Sequence, residues 1–156
     1  MKMRNLLAGI IAIPVILLSG CGNGSEPAKE PAPSEITSAI MAEINIPSAV
    51  EKDKDSIGAY YDVDVNQTEA LSVFICGSGA YPDELAVFKM NSADEAQKAS
   101  EAVQKRLDSQ IELYSYYTPN EMYKLNDASV TVKDKYVMLF VCENDARAME
   151  IAEGLF

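Results

Sequence analysis

Three cysteines, a lone serine between glycines, a short acidic run and a set of tyrosines are the residues whose types and spacing bear on chemistry. The 156-residue chain contains no histidine. That removes Ser-His-Asp triads, Cys–His pairs and His-bearing zinc sites together. Ser78 stands in Cys76-Gly77-Ser78-Gly79-Ala80. A nucleophile elbow needs glycine two residues to either side of the serine, and Cys76 and Ala80 occupy those places. The glycines read as a turn between strands, and no helix follows to complete a phosphate cradle. Asp62-Val63-Asp64-Val65-Asn66 is similar to the opening of a calcium loop, but Gln67 replaces the required glycine and Val73 the closing glutamate. A solvated acidic turn is the expected outcome; the alternative is an irregular, weak calcium site. No metal and no cofactor is expected. Cys76 and Cys142 end predicted strands and form a disulfide only if those strands are neighbours, with Cα atoms within about 7 Å; otherwise they are two buried thiols. Tyr114, Tyr116, Tyr117 and Tyr123 gather near the end of a long predicted helix. They are expected to seal the core, with a sugar or peptide groove as the alternative.

Cys21 has a different setting. Lys2 and Arg4 precede 13 apolar-rich residues, Leu6 to Leu18, which end in Leu18-Ser19-Gly20-Cys21. Such a run is too short for a bilayer-spanning helix, which takes about 20 residues, and it contains Pro14. The pattern resembles the lipobox of bacterial lipoproteins. It implies a signal peptide over residues 1–20, cleavage before Cys21 and a diacylglycerol on the Cys21 thiol. The expected location is the extracytoplasmic face of the cell membrane, with the membrane itself a partner through that lipid. Two acyl chains hold a protein stably where one does so only marginally. An ordinary secretory leader with a cysteine at its cleavage point would instead leave the protein free.

Loss of residues 1–20 removes Lys2 and Arg4 and no acid, leaving 11 basic and 24 acidic side chains, a charge of −13. Such a surface repels nucleic acid and anionic lipid, so no nucleic-acid partner is expected. Residues 22–33, rich in Gly, Pro, Ser and charge, read as a flexible tether after Cys21. Residues 34–156 suffice for a single domain.

The domain is expected to be α+β. Ser34 would cap a helix carrying Ile36, Ile40 and Ile44 on one face. Residues 48–56 are polar and carry no element. Ala70–Cys76 and Glu84–Met90 form one predicted hairpin, and Ser129–Lys133 with Tyr136–Cys142 another. Ser92-Ala93-Asp94-Glu95 is a capping box that opens a helix to about Tyr117, and Thr118-Pro119-Asn120-Glu121 resembles a second box. Asn144 or Asp145 would cap a last helix. The order α-β-β-α-β-β-α predicts a four-stranded antiparallel sheet from two hairpins with helices on one face, the other face remaining open to a partner.

From about Ile57 to Phe156 the chain resembles the domain-of-unknown-function family numbered 4358. The likeness rests on Tyr60-Tyr61-Asp62, Gly79-Ala80, Asp83-Glu84-Leu85-Ala86-Val87-Phe88, Arg106 and Gln110, Tyr117-Thr118-Pro119 and Tyr136-Val137-Met138-Leu139-Phe140-Val141. It implies a small secreted lipoprotein and lends no catalytic residue. Two functions follow as expectations: a non-enzymatic module binding a protein, peptide or wall-associated ligand, and, as the alternative, a carboxylate-based hydrolase of cell-wall glycan.

Overall fold

Two strands explain the architecture. Glu84–Met90 and Tyr136–Val141 are apolar at nearly every position, so neither face of either strand can meet water. In the computed structural model, which describes residues 29–156, these are β3 and β5 and lie side by side, antiparallel, at the centre of the sheet. β2 (Thr68–Cys76) pairs with the other edge of β3, and β4 (Val130–Lys133) with the outer edge of β5. A fifth strand, β1 (Ala49–Lys52), pairs with β2, giving the antiparallel order β1-β2-β3-β5-β4.

The fold is α+β, but it differs from the expected one in three respects. The sheet has five strands. β1 falls in the stretch expected to hold no element; its residues are largely exposed, so its own pattern gives no signal. Backbone pairing from Ala49 with Cys76 to Lys52 with Val73 fixes it instead. The order is consequently α-β-β-β-α-α-β-β-α, because a short helix α3 (Met122–Asp127) also follows α2 (Ala93–Tyr117).

The third difference is that helices cover both faces. Leu85, Val87, Met138 and Phe140 pack with Ile36 and Ile40 of α1 (Pro33–Glu43) and Ala148 and Ala152 of α4 (Asp145–Glu153). The alternate residues Ala86, Phe88, Val137 and Leu139 pack with Ala99, Val103 and Leu107 of α2. Among the described residues, helices thus cover both faces of the central strands β3 and β5.

Local sequence explains most element ends. Ser92 Oγ accepts from Glu95 N at 3.2 Å, as a cap should, but the Glu95 carboxylate turns to Lys98 at 2.7 Å rather than back to Ser92. Thr118 precedes the 3-10 turn Pro119–Glu121 without capping it, and its hydroxyl is buried with no partner. Asn144 caps α4 by accepting from Arg147 N at 3.0 Å. α1 starts two residues earlier than expected, with Ala32 rather than Ser34 at the cap position, Pro33 at its first position and no side-chain cap. The last part of the expected tether belongs to the fold: Pro31 and Pro33 are buried, Tyr136 Oη donates to Pro31 O at 2.8 Å, and Glu30 pairs with Lys89 at 2.9 Å.

Candidate functional site

The buried charged groups, Asp83, Glu84 and Lys124, collect at one end of the sheet, where β3 begins and β5 finishes. Asp83 stands immediately before β3 and Glu84 opens it; each is only 1% exposed. Consecutive strand residues diverge, and these two meet different cations.

Glu84 points toward α2. Arg106 Nη2 and Nε approach Glu84 Oε2 at 2.7 and 3.2 Å, and the Tyr61 hydroxyl donates to Oε1. The Tyr60 and Tyr61 rings lie 5.7 and 5.8 Å from the guanidinium carbon. Burial pushes the Glu84 carboxyl above its ordinary range, and Arg106 opposes that shift. The cluster ties residues 57–61 to α2 and β3. It is enclosed, and its groups satisfy one another.

Asp83 points toward α3. Lys124 Nζ donates to Asp83 Oδ2 at 2.9 Å and lies 2.9 Å from Glu121 Oε2 and 3.9 Å from Glu143 Oε2. The Tyr81 and Tyr123 ring centroids are 5.5 and 5.8 Å from the same nitrogen. Burial would lower the pKa of Lys124, but Asp83 and Glu121 outweigh it and raise the value, so the ammonium stays charged. Burial raises the Asp83 carboxyl against the pull of Lys124. Asp83 Oδ1 is buried without a hydrogen-bond partner among the described residues. A cleft of about 370 Å³ opens beside this group, lined by Asp83, Lys124, Glu143 and Asn144 and, from the end of α1 and the start of α4, by Asn45 and Arg147. Arg147 is held by Glu43 and Glu150, each at 2.8 Å.

The residues singled out in the sequence are scattered. Cys76 and Cys142 are buried free thiols on strands separated by β3. The neighbouring strands that a bond between them requires are therefore not present. Burial lifts the Cys142 thiol to about 11, so it is protonated and unreactive at neutral pH. Ser78 is exposed in the β2–β3 turn. Gly77 is required there, since a Cβ would sit 2.6 Å from Val50 Cγ2 of β1. Gly79 adopts a φ of +64°, which suits glycine. Asp64 caps the 3-10 turn Val65–Gln67 through Asn66 N at 2.9 Å, which accounts for the acidic run. Of the four tyrosines, only Tyr114 is core; its hydroxyl donates to Tyr81 O at 2.8 Å, with Gly79 O at 3.1 Å. Tyr116 and Tyr117 are 82% and 75% exposed, contrary to the expected seal. Cys21 lies outside the described residues.

Sequence reasoning assigned no role to Asp83, Glu84, Arg106 or Lys124. The available signal was a pair of acids opening an otherwise apolar strand, which must be buried if the strand is central.

Residues 42–142 match the family described as Domain of unknown function (DUF4358). The chain belongs to that family. The DUF4358 match begins near the end of α1, takes in all five strands with α2 and α3, and stops at Cys142. It thus starts earlier and ends sooner than the resemblance drawn from residues 57–156. The Asp83–Lys124 and Glu84–Arg106 pairs lie within the DUF4358 region, whereas Glu143 and Arg147 on the cleft rim lie beyond it. No curated protein and no solved structure matches the chain.

Proposed function

We propose that this protein is a lipid-anchored, extracytoplasmic binding module, fastened to the membrane through Cys21. Its folded part recognises a protein, peptide or wall-associated ligand. The cleft at the Asp83 end of the sheet carries the binding part of this reading. With both sheet faces covered by helices, it is a concave surface where several polar groups converge, and its volume of about 370 Å³ falls within the roughly 300–1,000 Å³ of small-ligand sites. The charged start, apolar core and Leu18-Ser19-Gly20-Cys21 end of the leader support the anchor.

Cell fractionation of wild type and Cys21→Ala tests the anchor. Wild type is expected in the membrane fraction, extractable only by detergent. Equal membrane retention of the variant would sink the lipid assignment. A photo-crosslinking side chain at position 45, in the cleft, compared with one at position 97 on α2, tests the binding surface in the same cells. Capture confined to position 45 supports the cleft, and equal capture from both positions removes it.

A second reading, a carboxylate-based hydrolase of wall glycan, gains one observation: Asp83, raised by burial, and Glu143 share a cleft. Retaining and inverting glycosidases place two carboxyl groups about 5–9.5 Å apart around the scissile bond. Here the Lys124 ammonium stands 2.9 Å from Asp83 and 3.9 Å from Glu143, where the substrate oxygen would have to enter. Binding without cleavage is therefore favoured. Release of reducing sugar ends from purified wall by wild type, and its loss in Glu143→Gln, would reverse that preference.

A further inference from the structure

We infer that the cleft beside Asp83 binds a primary ammonium group, supplied by a free amine or by a lysine side chain of a peptide. The inference rests on the cleft being the binding surface of the module proposed above. Asp83 is 1% exposed and fixed at the start of β3, where its carbonyl accepts from Cys76 N at 2.9 Å. One carboxylate oxygen is used by Lys124, while the other, Oδ1, has no donor among the described residues. A buried acceptor left unmade is destabilising, so a donor arriving from the cleft, through one bridging water or a small turn of the carboxylate, relieves a standing penalty.

The charge balance selects a cation. Asp83, Glu121 and Glu143 surround the single Lys124 ammonium. Across the cleft Arg147 is already shared between Glu43 and Glu150. Of the charged side chains that line the cleft, three are carboxylates (Glu43, Asp83 and Glu143) and two are cations (Lys124 and Arg147). A divalent metal fits this arrangement poorly. It needs several oxygens converging on one point at about 2.0–2.6 Å, and among the described residues no group of three or more His, Cys, Asp or Glu side chains is set to hold one. An ammonium needs only separate acceptors at hydrogen-bond distance. Lys124 itself illustrates this, lying among carboxylates with Tyr81 and Tyr123 rings at its sides.

The test uses the full chain in detergent micelles, labelled with nitrogen-15, and follows the amide signals of Asn45, Glu143 and Asn144. The probes are cadaverine and N-acetyl-lysine methylamide. N-acetyl-norleucine methylamide, which keeps the stem and lacks the charge, is the control. Both amines, or the lysine amide alone, are expected to shift these signals saturably while the control does not. Binding of both assigns a free amine as sufficient, and binding of the lysine amide alone assigns a peptide source. Glu143→Gln, on the exposed rim and therefore tolerated by the fold, is expected to weaken the affinity about tenfold. Equal shifts from the norleucine control, or an unchanged affinity in Glu143→Gln, overturn the ammonium assignment. An N-acetylglucosamine trimer separates the two levels of the argument. If it moves the cleft signals and the amines do not, the ammonium assignment falls and the module stands. If no probe moves them, both fall.

Discussion

At the scale of single residues, two buried acids do different work. Glu84 is fully matched by Arg106 and Tyr61, while Asp83 is half matched by Lys124. The matched group invites a stability experiment. Arg106→Ala leaves Glu84 buried and unpaired and is expected to cost about 3–5 kcal/mol in urea unfolding. The triple variant Tyr61→Phe, Glu84→Leu, Arg106→Met removes every member of the cluster and is expected to recover most of that loss, since an apolar replacement leaves no uncompensated charge. Equal losses in both variants would show that shape rather than charge holds Tyr61 and α2 to β3. None of these pairings was legible in advance. Arg106 is separated from Glu84 by the rest of β3, a two-residue turn and more than three turns of helix, and nothing in the spacing says that they meet. Absence of histidine, by contrast, was legible at once, and so was the failure of the serine and calcium motifs, because each depends on residues close together in sequence.

At the scale of elements, the sequence is readable wherever the signal is local. The two hairpins, the long helix from Ala93 and the cap at Asn144 follow from apolar period and capping residues. β1 was not readable, because its side chains are exposed and only the open edge of β2 makes it a strand. The covered second face was readable in principle. A half-open antiparallel sheet alternates apolar with polar residues, and Leu85-Ala86-Val87-Phe88 and Tyr136-Val137-Met138-Leu139-Phe140-Val141 do not. The caps give a matched pair of predictions. Ser92→Ala removes an acceptor that α2 uses and is expected to cost about 1 kcal/mol. Thr118→Val removes a buried hydroxyl with no partner, so it is expected to be neutral or slightly stabilising. Thermal unfolding of both variants checks this, and a loss from Thr118→Val as large as that from Ser92→Ala would mean that the threonine does cap its turn.

At the scale of the whole molecule, the boundary between tether and domain lies before Pro31 rather than at Ser34. The Pro/Gly/Ser composition of residues 22–33 concealed this, because proline packs well at a surface groove while scoring as linker. A chain starting at Ser34 loses the acceptor for the Tyr136 hydroxyl, which is otherwise 1% exposed. Orphaning that group alone is expected to cost about 1–3 kcal/mol against a chain starting at Lys29, read from the urea midpoint. Identical midpoints would return residues 29–33 to the tether.

The contact between Pro31 and Tyr136 also gives the molecule two poles. The chain joins the fold beside Lys89 and Tyr136, at one end of β3 and β5. The cleft opens at the other end of the same two strands, by Asp83 and Glu143, roughly 20 Å away at about 3.3 Å per residue. A pull on residues ahead of Pro31 bears first on the Pro31–Tyr136 and Glu30–Lys89 contacts, which lead to β3 and β5 and not to the edge strands β1 and β4. A ligand tugging at the cleft loads those strands from the opposite direction. Were the chain anchored ahead of Pro31 and a ligand held in the cleft, as proposed, the central pair of the sheet would span the distance between the two attachments.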